Sequence, residues 1–449
     1  MSCKHASGAV AVGIAALWAG SASGAVDPVS NWNTIAIQAS LAAGQNGITQ
    51  SRTLAIVQVA IHDALNTIEP RYVRYAFTGD GLRPALLNAA IAAAARDAII
   101  SAITVGAVPF PGFGTPALQT MAASQVNATY EAVLASIPNG TPKSNGIAVG
   151  QAAARAILAR RSTDHATTPV AYTPGTQPGD WQPTPNPVPP DPPAPADHLS
   201  ALLPGWGQVT PFVLRRSTQF NPDGPPRLTG RRYAREYEEV KMVGAQNSTT
   251  RTPEQSSIAR FWYETSPAGW SRIARIVAEL RGLDSWETAR LLALLNVAMA
   301  DGYIAGFWTK YDVNFWRPVT AIRAGDTDGN DATVADPAWS SFLNAPPVPD
   351  YPSTHSVLGG AAAEVLRRFF RKEDVSFTTT SGVPFAGITR SFTRFSAAAE
   401  ENGLSRIYAG IHYHSAVEDG IRQGNRIGAY AFAHALRPLN DSDDDDGER

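Results

Sequence analysis

Two segments in the second half of the chain place cationic, hydroxyl and imidazole groups where they can bind an anion. KYDVNFWRP contains Lys310 and, seven residues later, Arg317. PSTH contains Ser353, Thr354 and His355, directly ahead of a helical run of small residues. The first turn of a helix carries unpaired N–H groups and partial positive charge, so it favours anions. A histidine at that place can also move protons near neutral pH.

A third segment, SRIYAGIHYH, adds Arg406 and, six residues later, His412. Buried cations require partners, and no equally clustered carboxylates accompany these three cations. Together the segments therefore indicate an anion that is not part of the chain. Each segment alone has a plainer interpretation. The first can be a helix end, Ser353 can be an N-cap, and Arg406 can pair with Glu400 or Glu401.

In chain order the segments read K-x6-R-P, P-S-x-H and S-R-x5-H. They resemble the motifs of the superfamily that vanadium-dependent haloperoxidases share with acid phosphatases of the type 2 phosphatidic-acid phosphatase group. Those motifs are K-x6-R-P, P-S-G-H and S-R-x5-H-x3-D. The resemblance covers residues 255–436, and KYDVNFWRP is especially similar to the haloperoxidase form. AIVQVAIHDALN and LLPGWGQVTPF, nearer the N-terminus, also look like bacterial haloperoxidase-like members.

The resemblance implies a site for vanadate or phosphate, which are both tetrahedral oxyanions. It implies that His412 binds the central atom, and that His355 acts as general acid and base. It also implies that Lys310 polarises bound peroxide. The oxyanion would be held by charged, hydroxyl and main-chain donors, at Lys310, Arg317, Ser353, Thr354 and Arg406.

Two chemistries follow from the resemblance, and a third interpretation without turnover stays open. A haloperoxidase would hold vanadate on His412 and oxidise a halide with hydrogen peroxide, and the product would act on a small organic acceptor. An acid phosphatase would form a phosphohistidine at His412 and use His355 to protonate the leaving alcohol. An oxyanion-binding protein would use the same contacts without reaction.

Three positions depart from the family pattern. Thr354 replaces a glycine; its amide remains, and its side chain either crowds the anion or adds a hydroxyl donor. Ala416 replaces the aspartate that follows the histidine by four residues and that orients the imidazole in phosphatases; Glu418 or Asp419 could substitute. Val348 occupies a place linked to halide choice in the family, and an aliphatic residue there predicts no particular halide.

Two other residues compete for roles in the site. His414 would be the ligand if the third motif were read as S-R-x7-H. Asp301 lies nine residues before Lys310 on the same predicted helix. It either pairs with an active-site arginine or only supports the fold.

The composition is that of a soluble, exported protein. The chain has 449 residues, 44% of them hydrophobic, and a net charge of −2, so it can bury a large core and gives no indication of nucleic acid. Residues 1–25 combine Lys4, an apolar core and a small-residue cleavage site, which predicts a signal peptide and export to the periplasm or the medium. The single cysteine, Cys3, lies in that segment, so we expect no disulfide and no thiolate metal site. We expect no other stretch to span a bilayer, and the sequence leaves the oligomeric state open.

Helices must position the three segments, because helical periodicity dominates the chain. We predict helices over 52–68, 84–103, 116–137, 145–161, 285–313, 356–370, 390–410 and 414–436. Only 375–382 is typical of a strand, and the proline-rich stretch 169–195 cannot be helical. The prediction is an all-α fold, a multi-helix bundle that the resemblance makes one of the haloperoxidase and acid phosphatase type.

The same pattern divides the chain into five parts. We predict a signal peptide, an N-terminal helical half, a proline-rich connector, a C-terminal haloperoxidase- or phosphatase-like domain and an acidic tail, at 1–25, 26–163, 164–229, 230–436 and 437–449.

Overall fold

The computed structural model describes residues 27–104, 114–184 and 201–439. The predicted signal peptide, residues 1–25, and most of the acidic tail lie outside these ranges. So does part of the proline-rich stretch, residues 185–200. Export and the five-part division therefore remain predictions.

The described residues form thirteen α-helices and one small sheet, which confirms the all-α prediction. The first part of the chain forms α1 to α5, at Pro28–Ala42, Gly47–Ile68, Leu87–Thr104, Pro116–Ala135 and Thr141–Arg161. The second part forms α6 to α13, at Arg231–Val243, Pro253–Phe261, Ser266–Leu280, Ser285–Val313, Pro318–Arg323, Thr354–Phe370, Phe395–Tyr408 and His414–His434. Two short 3-10 helices lie at Trp206–Gln208 and Gly325–Thr327.

The sheet corrects one predicted boundary. Strands β1, Phe377–Thr380, and β2, Thr389–Phe392, pair antiparallel with Phe377 opposite Phe392. The predicted strand over 375–382 is therefore present, whereas the helix predicted from residue 390 begins only at Phe395. Side-chain pairing across the hairpin, with Phe377 and Phe392 packed on the core, outweighs the helical pattern of those first residues.

Helix α9 is the centre of the fold. It begins at a capping box in which Asp284 and Glu287 each bind the other's backbone N–H. Nearly all of its side chains are buried, and it packs against α2, α11 and α13. It ends at Val313 because Asn314 adopts the left-handed conformation, with φ 55°. The left-handed conformation of Asn314 reverses the chain shortly after Lys310 and directs it back towards the core.

The N-terminal helices and the C-terminal helices share one apolar core. Helix α2 packs against α9, and side chains from both parts of the chain belong to the same buried cluster. Trp181, in the described part of the proline-rich stretch, and Trp206, beyond that stretch, are both buried. They anchor the described chain before residue 185 and after residue 200 in the fold.

Among the described residues, two helices are long and apolar enough to cross a membrane, so the expectation that no stretch beyond the signal peptide has the length and composition of a membrane span is wrong on those two criteria. They are α3, Leu87–Thr104, and α9, Ser285–Val313. The apolar window of α9 is 94% buried within the protein and that of α3 is 61% buried. Both are therefore core helices in this fold.

Candidate functional site

Lys310 lies on the last turn of α9 and is fully buried. Its Nζ donates hydrogen bonds to the carbonyl oxygens of Pro349, at 2.7 Å, and Asp350, at 2.8 Å. These carbonyls belong to the loop that leads into PSTH. The ammonium group therefore links the first motif to the second.

Arg317 is the N-cap residue of α10 and is also buried. Its Nε donates to the carbonyl of Val348 at 2.8 Å, and its Nη1 donates to the carbonyl of Ile411 at 2.7 Å. Ile411 directly precedes His412, so this guanidinium joins the second motif to the third.

The PSTH segment forms the start of α11. Ser353 is the N-cap, and its hydroxyl oxygen accepts two hydrogen bonds from Ser356. The backbone N–H of Ser356 donates at 3.4 Å, and the hydroxyl of Ser356 donates at 2.9 Å. Thr354 directs its methyl group at Gly306 on α9. The Nε2 of His355 lies 3.4 Å from the carbonyl oxygen of Glu264. A carbonyl only accepts, so Nε2 carries the hydrogen and Nδ1 is the free base.

Arg406, on α12, is a buried cation with almost no partner. Its Nη1 reaches the carbonyl of Trp262 only at 3.5 Å, and its Nε has no hydrogen-bond acceptor among the described residues. The alternative pairing with Glu401 is not formed, because that carboxylate binds Arg390 and the indole N–H of Trp262. A buried guanidinium in this state fits an anion held between the motifs.

His412 lies between α12 and α13 with its ring buried. Its Nδ1 is 3.0 Å from a carboxylate oxygen of Asp350. Nη1 of Arg317 lies 3.0 Å from Nε2 and 3.5 Å from Nδ1. Because Nη1 of Arg317 is this close to both ring nitrogens, it lies over the face of the ring and not along the lone pair of either nitrogen. The lone pair of Nε2 is therefore free for a ligand.

The electrostatics of the site favour a bound anion and a neutral imidazole. Burial lowers the pKa of His412 well below its usual value, and Arg317, Lys310 and Arg406 lower it further. Burial and the two arginines likewise hold the pKa of Lys310 well below its usual value, against the opposing charge of Asp350. Burial raises the pKa of Asp350 to about 7 against the pull of Arg317 and Lys310. In the part of the chain that the structure describes, three buried cations thus face at most one carboxylate, that of Asp350.

The pKa of His355 is also held well below its usual value, first by burial and then by the charge of Arg406. A neutral imidazole can accept a proton. The structure thus brings five of the residues that the sequence predicted for the site into electrostatic reach of one another, namely Lys310, Arg317, His355, Arg406 and His412. Ser353 and Thr354 directly precede His355 at the start of α11.

The competing residues lie elsewhere. His414 is half-exposed, with its Nδ1 3.1 Å from Glu239. Asp301 accepts hydrogen bonds at 2.6, 2.8 and 2.9 Å from the backbone N–H groups of a single turn, Phe212, Val213 and Leu214. Asp301 therefore supports the fold, and the interpretation that it pairs with an active-site arginine is wrong.

A cavity of about 790 Å³ opens beside the site, and no sequence pattern indicated it. Its walls include Tyr263, Glu264 and Phe385. The ring centre of Tyr263 lies 5.7 Å from the guanidinium carbon of Arg406, and Glu264 supplies the carbonyl beside His355. A small molecule in the cavity would reach the site past these two residues. Asp350 is the other component of the site to which the sequence assigned no role.

The side chains fit a tetrahedral oxyanion bound through one imidazole. The orphaned Nε of Arg406 is one open position, and the in-plane lone pair of His412 Nε2, whose neighbour Nη1 of Arg317 lies 3.0 Å away over the ring, is the other. Within the described ranges, no group of three or more His, Cys, Asp or Glu side chains could chelate a metal ion. Vanadate needs no such group, because its oxygens are neutralised by cationic donors.

Comparison with known proteins points the same way. The family model "VCPO second helical-bundle domain" matches residues 290–441, which contain all three motifs. Vanadium chloroperoxidase of Curvularia inaequalis is 29% identical, and the match covers 47% of this chain. It covers 45% of the relative, so the chain matches less than half of that protein's length.

Solved structures match over more of the chain. A crystal structure described as that of the first bacterial vanadium-dependent iodoperoxidase is 26% identical, with a TM-score of 0.76, and the match covers 94% of this chain and 99% of that one. The apo and holo structures of a bacterial vanadium-dependent chloroperoxidase are 18% identical, with TM-scores of 0.68 and 0.69. They cover 87% and 88% of this chain, and 94% and 95% of their own. At that identity they support the fold alone.

Proposed function

We infer that the chain belongs to the superfamily that vanadium-dependent haloperoxidases share with type 2 phosphatidic-acid phosphatases, and on that premise we propose that it is a vanadate-dependent haloperoxidase. Its substrates are a halide and hydrogen peroxide, and the oxidised halogen acts on a small organic acceptor. The observation that carries the proposal is the set of three buried cations around a neutral imidazole, with Asp350 as the one carboxylate that the described residues place between them.

Each side chain has a definite task in this function. Nε2 of His412 binds vanadate, and Lys310, Arg317 and Arg406 offset the charge of its oxygens. Ser353 and the backbone N–H of Thr354 add donors at the start of α11. Bound vanadate supplies the electrophilic centre at which hydrogen peroxide becomes reactive towards halide. Burial of the cations strengthens each of these contacts.

His355 is the proton carrier. Its Nε2–H is held by the carbonyl of Glu264, so Nδ1 accepts the proton that hydrogen peroxide loses on binding. Burial and the charge of Arg406 hold its pKa down and keep it neutral in the anion-free site, and a bound anion that offsets this positive charge raises its proton affinity. The same proton is needed again when the halide is oxidised, since halide, peroxide and one proton give hypohalous acid and water.

Hydrolysis of phosphate monoesters is the second candidate, and one contact favours it. The phosphatase motif needs an acid beside the nucleophilic histidine, and Asp350 lies 3.0 Å from Nδ1 of His412. In this reaction His412 attacks phosphorus through Nε2, and His355 protonates the leaving alcohol.

A paired assay separates the candidates. The purified protein is loaded with orthovanadate and tested for peroxide-dependent bromination and iodination of a phenol-red-type dye. Hydrolysis of a chromogenic phosphate ester is measured without vanadate. Halogenation that is lost in His412→Ala but kept in the matched control His414→Ala supports the haloperoxidase. Ester hydrolysis that vanadate inhibits supports the phosphatase instead, and anion binding with neither activity overturns both.

A further inference from the structure

Asp350 is a buried carboxylate at the centre of the site. It lies in the loop before α11, where its backbone N–H donates to the carbonyl of Phe315 at 2.8 Å and its carbonyl accepts from Lys310. One carboxylate oxygen lies 3.0 Å from Nδ1 of His412 and 3.9 Å from Nη1 of Arg317. The contact with Nδ1 is one of distance and charge, because neither carboxylate oxygen forms a well-directed hydrogen bond with any described group, His412 included. Against the larger effect of burial, the backbone N–H of Tyr413 lies near enough to lower the pKa of Asp350. The main chain thus holds the acid in place with its side chain facing the imidazole.

The acid that the family motif places after the histidine is absent from α13. Ala416 occupies that position, is fully buried, and its carbonyl accepts from the backbone N–H of Ser353. The nearby acids do not replace it. Glu418 pairs with Arg232 and His414.

Asp419 also points away from His412. It accepts a hydrogen bond from the hydroxyl of Tyr351 at 2.6 Å and pairs with Arg422. Across the described part of the chain, Asp350 is the carboxylate within ion-pair distance of His412.

We propose that Asp350 is the positioning residue of His412: it accepts the Nδ1 hydrogen and so keeps the Nε2 lone pair directed at the oxyanion. The proposal rests on the role of His412 in the proposed function. It means that the supporting acid has moved from the helix after the histidine to the loop before PSTH. Asp350 touches the imidazole and not the reacting atoms, so its effect passes through His412.

The negative charge of Asp350 and its proposed positioning role have opposite effects on anion binding. A carboxylate close to an anion site repels the anion, so deleting Asp350 would tighten anion binding if charge alone mattered. If Asp350 positions His412, the same deletion weakens binding, because the ring can rotate or carry its hydrogen on Nε2. The two effects have opposite signs.

The tautomer of His412 gives the first test. The protein is labelled with 15N-histidine, and the ring resonances are assigned to His412 with His412→Gln, in the absence of any oxyanion. We expect the hydrogen on Nδ1 in the unsubstituted protein, and a mixture of tautomers or an Nε2–H form in Asp350→Ala. An unchanged tautomer in Asp350→Ala overturns the proposal.

Anion affinity gives the second test. Dissociation constants for inorganic phosphate and orthovanadate are measured by calorimetry, with circular dichroism to confirm folding. We expect Asp350→Ala to bind each anion about 10- to 100-fold more weakly, and Asp350→Asn, which keeps the shape and a weaker acceptor, about 10-fold more weakly. Affinity that is unchanged or higher overturns the proposal. If Asp350→Ala does not fold, Asp350→Asn decides the matter in both tests.

Control and rescue variants exclude a general loss of structure. Glu418→Gln and Asp419→Asn remove nearby acids that do not face His412, and both are expected to keep the affinity for phosphate. Ala416→Asp in the Asp350→Ala background restores an acid at the family position, and we expect it to recover at least part of the affinity and the Nδ1–H tautomer.

The tests distinguish this proposal from the proposed function. If no variant halogenates the dye, yet tautomer and phosphate affinity follow Asp350, the positioning role stands and the haloperoxidase function fails. If the protein halogenates and Asp350→Ala keeps both tautomer and affinity, the function stands and the positioning role is wrong.

Discussion

The methyl group of Thr354 faces Gly306 across the contact between α11 and α9, and a Cβ atom added at Gly306 would lie 2.9 Å from it. This contact answers the question raised by the glycine-to-threonine departure in the second motif. The extra side chain is accommodated by a missing one on the neighbouring helix. This contact turns the methyl group of Thr354 towards α9.

This complementarity predicts that Gly306→Ala is costly only while Thr354 is present. Overpacking a full interface costs about 1 to 3 kcal/mol, and displacement of Thr354 also weakens phosphate binding. In the Thr354→Gly background the clash disappears. The gain in helix propensity from glycine to alanine is common to both backgrounds, so it cancels in the cycle.

The measurement is a double-mutant cycle of unfolding free energies from urea titration, with phosphate affinity recorded for each variant. We expect a coupling energy of about 1 kcal/mol or more. Equal costs for Gly306→Ala in the two backgrounds would mean that the Thr354–Gly306 contact has no energetic significance.

We expect substitution of Arg406 to have opposite effects on the stability of the fold and on phosphate binding. Its guanidinium is buried with one hydrogen bond at 3.5 Å, so the anion-free protein carries the cost of a poorly paired cation. We expect Arg406→Met to raise the free energy of unfolding in phosphate-free buffer by about 1 kcal/mol or more, and to weaken phosphate binding about 10- to 100-fold because a charge-assisted hydrogen bond is lost.

The control is Arg390→Met, because Arg390 has two carboxylate partners, Glu401 and Glu254. This variant is expected to lose stability slightly and to keep its phosphate affinity. A large loss of stability in anion-free Arg406→Met would show that Arg406 already has a strong partner.

We expect anion binding to be accompanied by proton uptake at Lys310. Burial, Arg317 and Arg406 hold its pKa well below the usual value in the anion-free site. A bound anion favours the charged ammonium and raises that pKa, so protons are taken up and the affinity falls as pH rises. Calorimetry of phosphate binding in buffers of different ionisation enthalpy counts these protons.

Phosphate itself titrates near neutral pH, so a variant must isolate the part due to Lys310. Lys310→Met keeps the length of the side chain but carries no proton. It should bind more weakly and take up fewer protons than the unsubstituted protein. The same uptake in both proteins would exclude Lys310 as the source.

The convergence of the three motifs was predicted from their cations, which lack clustered carboxylate partners, and from the resemblance to the family motifs, whereas local pattern predicted only the helix end or turn at which each motif lies. Lys310 ends a helix whose bounds, 285–313, follow directly from its periodicity. Serine, the residue at position 353, is one of the types preferred at the N-cap of a helix. Helical periodicity likewise predicted most of the helices, since it depends only on neighbouring residues.

The role of Asp350 could not be predicted in this way. It lies three residues before Ser353, in a stretch without periodicity, and its importance comes from a backbone held by Phe315 and Lys310, residues distant in sequence. The cavity wall formed by Tyr263 was missed for the same reason. Asp301 was ambiguous because its partners lie on a loop whose path the sequence does not encode locally.

We expect substitution of Asp301 to lower the stability of the fold and to leave anion binding unchanged. Its carboxylate is fully buried and accepts three backbone hydrogen bonds, although burial raises its pKa to about 6. Asp301→Ala leaves three N–H groups without an acceptor, and each orphaned group costs about 1 to 3 kcal/mol. We therefore expect the free energy of unfolding, measured in urea, to fall by about 3 kcal/mol or more. Phosphate affinity measured below the unfolding transition should stay within about twofold, because Asp301 contacts none of the anion-binding residues and distant sites act independently. A selective loss of phosphate binding in Asp301→Ala, at unchanged stability, would return Asp301 to the active site.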